Sequence, residues 1–70
     1  MRDLEARLLA AHARRDLRAL VTLYSAAADT ASSQDAGGFF LTQAYVYALD
    51  CNHPAATALH ARLVAEGREA

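Results

Sequence analysis

The sequence predicts an all-α chain, four antiparallel helices arranged as two helix-turn-helix hairpins. Three observations carry that expectation. Apolar residues recur at spacings of three and four along most of the chain, the period of one face of a helix. The composition is rich in Ala, the best helix former, with no Ile, no Trp and only three Val, which argues against sheet. Short polar breaks at Arg15-Asp16, Ser32-Ser33 and Asn52-His53-Pro54 divide the apolar stretches into four.

The first helix is expected from Asp3, a good N-cap, to about Arg14. Leu4, Leu8 and Ala11 form its stripe, with Leu9 beside it. The second opens at Asp16, again a good cap. Leu17, Leu20, Val21, Tyr24, Ala27 and Ala28 form one face, and the helix ends near Thr30 or Ala31. Ser32-Ser33-Gln34-Asp35 reads as a capping box for the third, with Ser32 accepting from a backbone amide and Asp35 in place of the usual Glu. Gly37-Gly38 is read as helix because the cap signal precedes it, at a cost of roughly 1 kcal/mol per Gly relative to Ala. From Phe39 to Leu49 this helix is apolar nearly all round. It is therefore either central in the fold or exposes an apolar stripe for something else. Pro54 suits the first turn of the fourth helix, where Ala56, Leu59 and Leu63 form a face with Val64 adjacent. Gly67 is a natural stop, and Arg68-Glu69-Ala70 is expected to be a frayed tail.

Seventy residues allow one domain with a marginal core, which a partner or self-association can complete. A net charge of −1 gives no global pull toward nucleic acid or an anionic membrane. All seven basic residues are Arg, a bias that hints at a GC-rich, bacterial source. The single Cys51 cannot form an internal disulfide. The start, Met1-Arg2-Asp3-Leu4-Glu5, lacks the pattern of a signal peptide, so the expected location is the cytoplasm.

A shift of 37 residues places Leu4 on Leu41, Leu8 on Tyr45, Ala11 on Ala48 and Asp16 on His53. Each half is then a helix, a tight turn and a second helix, with repeat one at about 3–31 and repeat two at about 33–67. The first half runs Leu4…Leu8…Ala11…Arg15-Asp16-Leu17…Leu20…Tyr24…Ala27. The second runs Leu41…Tyr45…Ala48…Asn52-His53-Pro54…Thr57…Ala61…Val64. This pattern resembles the tetratricopeptide repeat (TPR) family over nearly the whole chain. Leu8 and Tyr45 stand where that family usually has a small residue, Arg15 and Asn52 replace its turn glycine, Thr57 its packing alanine, and Ser32 its closing proline.

The resemblance implies a fragment of a right-handed superhelix whose first and third helices line a groove. It also implies an adaptor or scaffold role, a protein or peptide partner, and no catalysis. Carried over by position, the partner-binding residues are Glu5, Leu9, His12 and Ala13, then Phe39, Thr42, Val46, Leu49 and Asp50. Leu9, Phe39 and Val46 fall off the core stripes, as an interaction surface requires. In the alternative, the same residues fill the inter-helix core, or join two copies in a homodimer.

Other constellations are weaker. Cys51, His53 and His60 lack a zinc-like spacing and a fourth ligand, so no metal is assigned, and a metal-responsive regulator is the least favoured reading. Asp50, Cys51 and His53 are sequence neighbours, which rarely meet as a nucleophile, base and orienter. Arg14, Arg15 and Arg18 could grip a phosphate or an acidic peptide, but three arginines near a helix end more often form a solvated rim. Gly37-Gly38 lacks the further residues of a phosphate loop, and no cofactor is implied. Phe39, Phe40, Tyr45 and Tyr47 have no interleaved basic residues, so nucleic-acid binding is not expected. Phe40 and Tyr45 are assigned to the core.

Overall fold

A computed structural model describes residues 2–67. It contains four helices, α1 (Arg2–Arg14), α2 (Leu17–Thr30), α3 (Gln34–Asp50) and α4 (Ala56–Ala65), and no strand among the described residues. The all-helical class is as the sequence implies. The tail from Arg68 lies outside the described residues.

Each helix packs against its neighbours in the chain, and the α2–α3 interface is the most extensive. The result is a thin slab of 32 × 28 × 12 Å rather than a ball. Its 4603 Å² of accessible surface exceeds the value of about 4,250 Å² typical of a 7.5 kDa globule. Such a slab has a thin core. Leu20, Val21, Leu41 and Leu63 are its largest fully buried side chains, joined by Ala11, Tyr24, Ala27, Ala44, Ala48 and Leu59. Alanines at the contacts let the helix axes approach closely, but each contributes little apolar area.

The turn after α1 and the turn after α3 are the same structure. Arg15 and Asn52 both have φ 55°, the left-handed conformation that most often falls to Gly. In the first turn the Arg15 amide donates to the His12 carbonyl (3.1 Å) and the Asp16 amide to Ala11 (2.9 Å). In the second the Asn52 amide donates to Leu49 (3.3 Å) and the His53 amide to Ala48 (2.8 Å). This is the paired bonding of a Schellman motif, and it satisfies carbonyls that the helix end leaves orphaned. All four positions correspond under the shift that aligns the two halves. The next residue in each turn then bonds forward along the chain. Asp16 caps α2 by accepting from the Ala19 amide (3.1 Å), whereas His53 Nδ1 accepts from the Ala55 amide (3.0 Å) inside the turn, and α4 begins after Ala55 without a side-chain cap.

Three helix starts differ from expectation. Pro54 lies in the turn ahead of α4 and not in its first turn, since Ala55 is the cap and Ala56 the first helical residue. Asp3 is not the cap of α1, since helical structure already includes Arg2; Asp3 instead lies in the first turn, where an acid suits the helix dipole. The cap of α3 is Ser33, not Ser32. Ser33 Oγ accepts from the Ala36 amide (3.1 Å), its carbonyl accepts from Gly37, and Asp35 falls one residue short of the reciprocal box position. Gly37 and Gly38 are helical, and Gly38 is buried.

The slab is staggered. On one face the His12 ring of α1 meets Tyr47 of α3, with centroids 5.9 Å apart, over the top of Tyr24 of α2. Asp29 of α2 and Arg62 of α4 form an ion pair at 2.9 Å, reaching past α3 near its start, where Ala28, Gly37 and Arg62 line one depression.

Candidate functional site

The face on which α1 and α3 side chains meet carries a row of rings. His12 Nε2 and Tyr24 Oη are 2.9 Å apart. His12 stands edge-on to both Tyr24 and Tyr47, and these two tyrosines stack with centroids 5.8 Å apart and planes 12° from parallel. Tyr24 also contacts Phe40 at 6.1 Å, and Phe40 contacts Phe39 at 5.6 Å. The row thus connects three helices and ends on a solvent-facing ring.

Burial raises the phenol of Tyr24 above its ordinary 10.0. The neighbouring Tyr47 adds to the rise, and a hydrogen bond with the Gln43 side chain opposes it. The phenol is held neutral and polar in an otherwise apolar setting, with His12 and Gln43 as its partners.

Apolar side chains stay open to water on α1 and α3. Leu9 of α1 is 72% exposed; on α3, Phe39 is 58%, Leu49 56% and Val46 43% exposed. Phe39 and Val46 are seven residues apart, two turns along one stripe, and Leu49 follows one turn on. Among the described residues five large hydrophobics are exposed, the fifth being Val64 at 45%. Scattered singly they would be unremarkable. Here Leu9 lies beside the ring row, and Phe39 is part of it.

The residues named from sequence reach this surface in separate places. Glu5, Leu9 and His12 line one shallow depression with Leu8 and Tyr24. Phe39 and Thr42 line another with Asp35, Gly38, Glu66 and Gly67, between the start of α3 and the end of α4. Leu49 lines a third with Tyr45, Ala56, Thr57 and His60. Ala13, Val46 and Asp50 are exposed on their helices. The surface is therefore a broad face with several shallow depressions. Thr42 is half committed to its own helix, because its hydroxyl donates to the Gly38 carbonyl at 2.9 Å.

Sequence reasoning missed the central position of Tyr24, Gln43 and Tyr47. The only available signal was that Tyr24 and Tyr47 are bulky among many alanines. Their meeting depends on the α2–α3 pairing, which periodicity does not encode. Phe40 and Tyr45 are half-buried and pack against the core, and Tyr45 lies against the His60 ring at 5.5 Å.

The other constellations do not assemble. Among the described residues no group of three or more His, Cys, Asp or Glu side chains could hold a metal ion. His53 Nδ1 is occupied by its bond from the Ala55 amide, His60 faces Tyr45, and Cys51 Sγ lies 4.0 Å from the Ala48 carbonyl. Arg14 pairs loosely with Asp16 at 3.8 Å. Among the described residues no helix is long and apolar enough to cross a membrane.

The fold and this face define a small four-helix protein with an open aromatic and apolar surface. Comparison with protein-family models, with curated proteins and with solved structures finds no match for this chain.

Proposed function

We propose that this chain is a protein- or peptide-binding module, an adaptor without catalytic activity, whose binding face is formed by α1 and α3. One observation carries the reading. Leu9 lies exposed beside a ring row that ties α1 to α3, Phe39 is its exposed end, and Val46 and Leu49 continue the exposed stripe along α3, so the apolar surface sits on a rigid base. Side chains held in place lose little freedom on binding, so more of the contact energy appears as affinity. The staggered order, with α1 and α3 side chains meeting over α2, supports a TPR-like hairpin stack as its architecture. The period of 37 residues exceeds the usual ~34 of that family. A cytoplasmic, bacterial setting is proposed with it, from the Arg-only basic set and the single cysteine.

The test is Val46→Asp. Val46 is outside the buried core, so the variant should keep its helical circular-dichroism signal while losing capture of its partner in a native pull-down. Undiminished capture would show that the face lies elsewhere.

A second reading has its own support. A slab this thin, with a core containing four alanines, has less buried apolar area than most independent domains. A homodimer through the same face would supply the missing area. Sedimentation velocity over a hundredfold concentration range separates the two, since a dimer gains mass with concentration and a module awaiting another protein stays monomeric.

A further inference from the structure

We infer that the partner is a basic amphipathic helix, with cationic side chains about fifteen residues apart that engage Asp50 and Asp35 at the two ends of the exposed stripe of α3. This rests on the binding-face reading above and adds the chemistry of the occupant.

Charge on and around α3 points to the occupant. α3 carries no basic residue at all; its charged groups are Asp35 in the first turn and Asp50 at the end, both exposed. Between them run Phe39, Val46 and Leu49 at helical spacing. Fifteen residues of helix separate the two acids by about 22 Å, the length of a four-turn partner laid along the stripe. On α1 the charged residue lining the Leu9 depression is Glu5. Arg7, Arg14, Arg15, Arg18 and Arg62 are placed away from this stripe. Arg7 and Arg14 line a different depression with Ala10, Ala19, Thr22 and Leu23. Arg15 and Arg18 are in the turn and on α2, and Arg62 is held by Asp29.

Asp50 is the telling residue. A carboxylate in the last turn opposes the helix dipole, where Lys, Arg or His would help. Among the described residues it has no ion pair or side-chain hydrogen bond. Its own fold gains nothing from it, whereas a cation delivered by a partner would. Asp35, by contrast, suits its helix start, so the directional information lies at the Asp50 end.

The experiment selects from a displayed library of random 18-residue peptides on the immobilised chain, in parallel with Asp50→Lys and Val46→Asp. Asp50→Lys favours the helix dipole, so it should fold at least as well as the parent. The expected enriched peptides have apolar residues at spacings of three and four, with Lys or Arg at both ends. Against Asp50→Lys, binding of those peptides weakens about fivefold or more, because reversal removes an attraction and adds a repulsion. Neutral or acidic enriched peptides, equal binding to Asp50→Lys, or no enrichment would each overturn the inference. If peptides without charge preference are enriched and lost on Val46→Asp, the binding face survives and only the basic partner falls.

Discussion

Arg15 and Asn52 each hold a left-handed φ of 55° so that one helix can end and the next begin within a few residues. A side chain with a Cβ pays for that conformation, Asn less than Arg because its short amide bonds locally. Arg15→Gly should therefore stabilise the chain by about 0.5–1 kcal/mol, allowing for the greater freedom of Gly when unfolded. Asn52→Gly should gain less. Urea denaturation of both variants checks the order, and a loss of stability in Arg15→Gly would mean that its side chain contributes more than its backbone costs. Tyr24 gives a second residue-scale outcome. Its phenol is raised above 10.0 in the fold. Below that pH both states hold the proton. As pH rises past it the unfolded chain releases its proton first, so this part of the stability is progressively lost. Tyr24→Phe should flatten the decline of the urea midpoint above about pH 10 relative to the parent. Parallel declines would show that the phenol is not the group responsible. Neither behaviour was legible in the sequence. Arg15 and Asn52 could be placed in turns, but a backbone angle follows from the bonds to Ala11 and Ala48, and the Tyr24 environment is built by residues twelve and more positions away.

The elements themselves were written in the chain. Asp16 announces α2 because its short carboxylate can reach an amide three residues on, and Gly67, with φ 75°, ends α4 as a residue without a Cβ can. The start of α3 was ambiguous, since Ser32 and Ser33 are chemically identical candidates one residue apart. Backbone conformation decides between them: Ser33 is extended (φ −133°, ψ 157°), and its hydroxyl reaches the Ala36 amide. Ser33→Ala should cost about 1 kcal/mol, and Ser32→Ala should stay within about 0.5 kcal/mol. Thermal denaturation of the two variants measures this directly, and the reverse order would move the cap. The apolar run of α3 admitted two readings, a central helix or one with an open stripe, and it is both. α3 packs against α2 and α4 while Phe39, Val46 and Leu49 face water.

At the scale of the whole molecule, the four-helix class followed from period and composition, and the open positions of Leu9, Phe39 and Val46 followed from their place off the core stripes. What joins them did not follow. The ring row needs α1, α2 and α3 to be side by side, and no local pattern states which helices touch. The free chain keeps this face wet over a core made of other residues. Methyl NMR with a soluble paramagnetic agent measures that side chain by side chain. Leu9, Val46, Leu49 and Val64 should broaden strongly, while Leu20, Leu41 and Leu63 should be protected. Equal protection of Leu9 and Val46 with the buried leucines, in a protein shown to be monomeric, would contradict it.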